Sequence, residues 1–146
     1  MEKSLNLKEK FMDEFSLEEQ DIRTYSPLTL AYIGDAIFEL VVRTVLVDRK
    51  NTQPEKLHKA ATKIVKAETQ ALMIEKLKEN LTEEELAVYK RGRNAKAVTR
   101  AKNATMSEYR RATGFEALMG YLYLKGEIER MTELIHLGVE KAEVTL

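Results

Sequence analysis

Two acids sit in stretches that offer them no company. Asp35 lies within Leu30-Ala31-Tyr32-Ile33-Gly34-Asp35-Ala36-Ile37, in the middle of an apolar run. Glu116 lies within Thr113-Gly114-Phe115-Glu116-Ala117-Leu118-Met119-Gly120-Tyr121-Leu122-Tyr123-Leu124. A carboxylate inside a greasy helix must be paired, protonated or bound to a cation, because burying it uncompensated costs several kcal/mol or more. Each acid also has glycine close by, and a glycine inside a helix costs about 1 kcal/mol relative to alanine. Glycine there points to a close approach by another backbone or a ligand. Two helices crossing at such glycines can bring the acids together, and two like charges in a low-dielectric site repel unless a cation bridges them. The chain has no cysteine, and neither His58 nor His136 has ligand spacing to a partner, so both read as surface or structural residues. Hard oxygen ligands of this kind suit Mg²⁺, with Mn²⁺ as a substitute. The plain alternative is two independent core salt bridges to members of the chain's 24 lysines and arginines.

A second signal is cationic. The formal net charge is zero, which by itself argues against a polyanionic partner. The distribution argues for one. Lys90, Arg91, Arg93, Lys96, Arg100, Lys102, Arg110 and Arg111 fall in one stretch with a single acid, Glu108, so that segment carries +7 and the remainder −7. Local charge decides where a polyanion docks. Arg91, Arg93, Asn94, Lys96 and Lys102 are the candidate contacts to a phosphate backbone. No aromatic residue lies between Lys90 and Glu108, so readers that stack single-stranded bases are disfavoured and shape recognition of a duplex is favoured. A merely solvated charged loop is the competing reading, weakened by the scarcity of acids.

These residues need a scaffold, and the patterning predicts an all-α one of a single domain over residues 1–146. Ser26-Pro27 starts a helix that runs from Leu28 to about Asp48. It is apolar around most of its circumference, the mark of a central, buried helix. Thr52-x-x-Glu55 and Thr82-x-x-Glu85 are capping boxes, opening helices to about Glu79 and about Arg91. Gly92 to Thr105 reads as a loop or irregular helix. Ser107 caps a helix to about Lys125, ended by Gly126, and a last helix spans about Glu127 to Ala142. Asn6 to Phe15 adds a short one. The 44% hydrophobic content supports a core. No run approaches a membrane span, and the charged N-terminus is not a signal peptide. No phosphate-binding glycine loop, zinc motif or nucleophile triad is found.

The two acidic stretches together resemble motifs of the ribonuclease III family. Leu30 to Ile37 is similar to its signature helix, and Phe115 to Gly120 with Tyr123-Leu124 to its second acidic motif. There are departures. Further acids usual four and seven residues before the Asp are here Ala31 and Leu28. An Asp usual three residues before the Glu is here Thr113. The double-stranded-RNA-binding domain that usually follows is not in this chain. These departures, with Arg91-Gly92-Arg93-Asn94 and Tyr109-Arg110-Arg111-Ala112-Thr113, resemble the bacterial subgroup Mini-ribonuclease III.

The resemblance implies a cytoplasmic homodimer with Tyr32 at its interface and two acidic sites along one valley, each cutting one strand of duplex RNA. It implies a magnesium-dependent endoribonuclease with Asp35 and Glu116 as catalytic metal ligands. It also implies products with 5′-phosphate and 3′-hydroxyl ends, and precursor 23S ribosomal RNA in the large subunit as substrate. Thr113 would support the site through a metal-bound water. The missing carboxylates leave two competing expectations: an inactive RNA-binding or ribosome-assembly factor of the same fold, and a helical protein-interaction module.

Overall fold

The computed structural model describes residues 6–95 and 104–146. Among the described residues every regular element is helical, as the patterning predicts: α1 (Leu7–Glu14), α2 (Pro27–Arg49), α3 (Pro54–Val65), α4 (Ala67–Leu77), α5 (Glu83–Asn94), α6 (Met106–Leu124) and α7 (Ile128–Lys141). No described helix is long and apolar enough to cross a membrane.

Several helix ends follow from local chemistry. The Ser26 hydroxyl accepts from the Thr29 N–H, with Pro27 in the first turn. Thr82 and Glu85 exchange both capping-box bonds. Gly126, at φ 79°, closes α6. Its N–H reaches the Tyr123 carbonyl and the Glu127 N–H reaches that of Leu122, the pattern of a Schellman cap. Two starts differ from expectation. Gln53, without a side-chain bond, precedes α3 in place of Thr52. Thr105 caps α6 in a box with Glu108, in place of Ser107.

The largest departure is at Lys66. The helix expected from Thr52 to Glu79 is two helices, α3 and α4, with Lys66 extended (φ −66°, ψ 154°) between them. No proline or glycine causes the break. Instead, side chains take over carbonyls the turn frees. The Thr69 hydroxyl donates to Lys63 O at 2.6 Å, and the Gln70 amide donates to Val65 O at 2.6 Å.

The central helix is α6, which packs against α2, α4, α5 and α7. From Ala112 to Tyr123 every residue is buried except Glu116, which is half-buried. Phe115 meets Phe38 of α2 edge to face, with centroids 5.1 Å apart. The expectation that α2 is buried all round is corrected. Only Leu30, Ala31, Gly34, Ile37, Phe38 and Val42 are buried on it, a stripe at helical spacing. Leu28, Tyr32, Ala36 and Leu40, four residues apart, are exposed, Tyr32 by 81%. Composition alone does not separate a helix surrounded by its own core from one with a second apolar face.

Candidate active site

The crossing of α2 and α6 is a backbone-to-backbone contact. A Cβ on Gly34 would stand 1.7 Å from Glu116 O and 2.8 Å from Gly120 N, and a Cβ on Gly120 would stand 1.9 Å from Leu30 O. Glycine at both places is therefore a steric requirement. The contact sets the acids together: the Asp35 carboxylate is close enough to that of Glu116 for its charge to act on it.

Their surroundings differ, however, and one expectation is corrected. Asp35 is exposed. Gly34 faces the crossing, and the next residue is roughly 100° round the helix, which puts Asp35 on the rim. Glu116 is the acid that is substantially removed from water. Burial first, then the negative charge of Asp35 and a hydrogen bond shared with it, push the Glu116 carboxyl up to about 8, against the opposing donation from Gln70. No cation figures among these influences, and no ion pair among the described residues includes either acid. Lys66, nearby on the same cleft, pairs instead with Glu68 at 3.8 Å. The alternative of two core salt bridges is thus not realised among the described residues. Two neighbouring acids without an ion-pair partner among the described residues, carried by helices in backbone contact, form a donor set that a hard divalent cation fits. No cluster of three or more metal-ligating side chains occurs among the described residues.

Glu116 opens onto a cleft of about 540 Å³ between the α3–α4 break and the start of α6, lined by Thr62, Lys66, Gln70, Tyr109 and Thr113 among others. Thr113 is buried, and its hydroxyl donates to Tyr109 O at 3.0 Å. Gln70 was not singled out by sequence reasoning. It is 1% exposed, and its amide nitrogen reaches both Val65 O at 2.6 Å and Glu116 Oε2 at 3.3 Å. The signal that could have found it is a lone amide beside the apolar Ala71-Leu72-Met73-Ile74.

The basic segment is also partly revised. Arg91-Gly92-Arg93-Asn94 is the last turn of α5, so the loop or irregular helix expected from Gly92 does not begin there. Gly92 is buried there because a Cβ would stand 2.7 Å from Ala117 Cβ and 2.9 Å from Gly114 Cα. This second glycine contact seats the end of α5 on the residues either side of Glu116. Arg91 and Asn94 are exposed, while Arg93 is half-buried with its guanidinium 5.6 Å from the Tyr89 ring centroid. Lys96 and Lys102 lie outside the described residues. Arg111 is held by Glu75 at 3.4 Å, and Arg110 is exposed. His58 is exposed, and His136 faces Glu140 on the surface of α7.

The family model for the ribonuclease III domain matches residues 28–127, which contain both acids, both glycine crossings and the end of α5. The chain belongs to the ribonuclease III family. Relatives named Mini-ribonuclease 3 include one from Clostridium tetani, 46% identical over 90% of this chain and 86% of its own. Another, from Enterococcus faecalis, is 48% identical over 86% of this chain and 97% of its own. A crystal structure of a Fusobacterium nucleatum protein superposes with a TM-score of 0.74 at 35% identity, covering 83% of this chain and 97% of that one. The similarity extends over most of both chains in each of these pairwise comparisons.

Proposed function

We propose that the protein is a magnesium-dependent endoribonuclease that hydrolyses double-stranded RNA, with Asp35 and Glu116 as its catalytic metal ligands. The observation that carries this reading is the pair of neighbouring acids, without an ion-pair partner among the described residues, at a glycine-fixed helix crossing inside the ribonuclease III domain. Mg²⁺ held by the pair would lower the pKa of the attacking water and offset charge at the phosphodiester. The chain's own residues do the rest. Gln70 and the α2–α6 backbone contact hold Glu116 in place. Arg91, Arg93 and Asn94 at the end of α5, continued by Lys96 and Lys102, would hold the duplex backbone beside it. Thr113, buried one helical turn before Glu116, offers a hydroxyl to the same cleft.

The finer points rest on resemblance to Mini-ribonuclease III: a single catalytic domain, 5′-phosphate products, precursor 23S ribosomal RNA as substrate, and a cytoplasmic place of work. A homodimer is supported further by the exposed Leu28, Tyr32, Ala36 and Leu40 on α2, since a contiguous apolar face marks an interaction surface.

The test is incubation with duplex RNA and Mg²⁺ beside Asp35→Asn. Cutting by the wild type that is lost in the variant supports the enzyme. Retarded migration without cutting by the wild type leaves an RNA-binding factor. No retardation even at low salt leaves a protein-interaction module and overturns the reading.

A further inference from the structure

We propose that Gln70 is a positioning residue for the acid pair. Its amide nitrogen orients the Glu116 carboxylate, and its carbonyl oxygen is an acceptor for the hydration shell of the divalent cation held there. The inference rests on the metal-dependent reading of the site.

Four observations converge on this residue. First, a 1% exposed glutamine sits on a helix whose other buried positions include Ala71, Met73, Ile74 and Leu77. An apolar residue would fill such a place without the cost of desolvating an amide, so packing alone does not account for it. Second, both hydrogens on its nitrogen are used, one on Val65 O and one on Glu116 Oε2. Third, Val65 O is a carbonyl released by the break at Lys66. One amide thereby ties the end of α3, the start of α4 and the acid on α6 into a single unit. Fourth, its oxygen is buried and meets no donor among the described residues. That oxygen shares a carbon with the nitrogen touching Glu116, so the unmet acceptor stands beside the group that meets the acid.

The chemistry fits an orienting role. Asp35 and Glu116 repel each other when both are ionised, and a free glutamate would swing its carboxylate away. A donor bound to one of its oxygens opposes that movement while adding no further negative charge. Partners that orient metal ligands in this way are commonly worth about 10- to 100-fold in metal affinity or activity.

The test measures Mn²⁺ binding to the RNA-free protein by electron paramagnetic resonance, for the wild type, Gln70→Met, Gln70→Glu and, as a site-loss reference, Glu116→Gln. Folding is checked by circular dichroism, RNA affinity in EDTA, and the Mg²⁺ dependence of cleavage is recorded beside it. Gln70→Met is expected to bind Mn²⁺ about tenfold more weakly or worse, to need correspondingly more Mg²⁺ to cut, and to keep its RNA affinity in EDTA. Gln70→Glu gives up the donation to Glu116 but keeps the acceptor and sets a further anionic oxygen beside the cation, whose direct attraction for the metal replaces the orienting bond, so it is expected to bind Mn²⁺ as well as the wild type or better. A purely structural bridge predicts otherwise, because a carboxylate cannot donate to Val65 O.

Wild-type Mn²⁺ affinity in Gln70→Met, weakened affinity in Gln70→Glu, or no Mn²⁺ binding by the wild type overturns the inference. If Gln70→Met does not fold, Gln70→Glu decides alone: retained affinity supports the inference and lost affinity sinks it. Cleavage by a wild type whose metal affinity is indifferent to residue 70 removes this inference and leaves the enzyme. Weakened Mn²⁺ binding in Gln70→Met of a protein that cuts no duplex removes the enzyme and leaves the positioning role.

Discussion

Replacing Gly34 with alanine sets two effects of opposite sign against each other. Helix propensity favours alanine by about 1 kcal/mol. Against it stands a Cβ placed 1.7 Å from Glu116 O, 2.6 Å from its carbonyl carbon and 2.8 Å from Gly120 N. All three are backbone atoms, so no rotamer change relieves the overlap. An ordinary carbon-to-oxygen approach is about 3.3–3.6 Å, which requires α2 and α6 to part locally by roughly 1.5 Å or more. Phe38 and Phe115 pack across that same interface, and a gap of that order forfeits much of their dispersion attraction. Overpacking a core costs typically about 1–3 kcal/mol and occasionally more. Here the upper end applies, so Gly34→Ala is expected to be destabilised by about 2 kcal/mol net, measured as a drop in the urea midpoint followed by circular dichroism. It should also bind Mn²⁺ more weakly, since the same movement separates Asp35 from Glu116. Gly138→Ala is the comparison. The nearest atoms to its Cβ would be Leu77 Cδ1 and Met73 Cε at 3.1 Å and Leu77 Cγ at 3.5 Å, side-chain atoms that can yield, and the propensity gain should roughly offset the crowding. A Gly34→Ala protein as stable as the wild type, or no worse than Gly138→Ala, would refute the argument that the crossing admits no side chain.

The raised Glu116 pKa fixes a direction for pH. A carboxyl pushed from 4.5 to about 8 binds its proton more tightly folded than unfolded. Its contribution to the metal-free protein is therefore complete below 4.5, falls as pH rises from 4.5 to 8, and is gone above. The slope is at most about 1.4 kcal/mol per pH unit. Glu116→Gln should flatten that part of the metal-free stability profile, and identical profiles for variant and wild type would contradict the assignment. Metal affinity should rise with pH over the same interval, because the proton must leave for the cation to bind, which calorimetric titration at several pH values would show. Arg91→Ala with Arg93→Ala should weaken duplex RNA binding and reduce the slope of log affinity against log salt by roughly two; an unchanged slope removes both from the interface. Tyr32→Glu should convert a sedimenting dimer to a monomer, and a wild type that sediments as a monomer would leave the exposed face of α2 without its proposed partner.

Much of the scaffold was legible because it rests on local chemistry. Ser26-Pro27, the Thr82–Glu85 box and Gly126 act within a few residues of where they stand, and each ends or starts a helix as its type dictates. The acid pair was legible for a related reason: charge inside an apolar run, with glycines nearby, has few uses. What escaped depends on distant partners. Asp35 reads as buried until the crossing shows that Gly34 takes the inner position. The break at Lys66 has no proline or glycine to announce it, since it is held by Thr69 and Gln70 reaching back to carbonyls. Gly92 to Asn94 reads as part of a loop or irregular helix by its charge and glycine, yet it is the end of α5, with Gly114 and Ala117 lying against Gly92. Periodicity likewise does not tell α2, half exposed, from α6, nearly wholly enclosed.

That enclosure has a consequence for how this protein can diversify. Along α6 from Ala112 to Tyr123, a single side chain, that of Glu116, is more than marginally visible from outside. That enclosed part of the helix therefore has almost no vocabulary for addressing a substrate, and changes along it are read as changes in folding. New substrate preferences must be written elsewhere, in the turn at Lys66, at the end of α5 and in the residues that follow it. Catalytic permanence and recognitional freedom are thereby assigned to different pieces of one small chain.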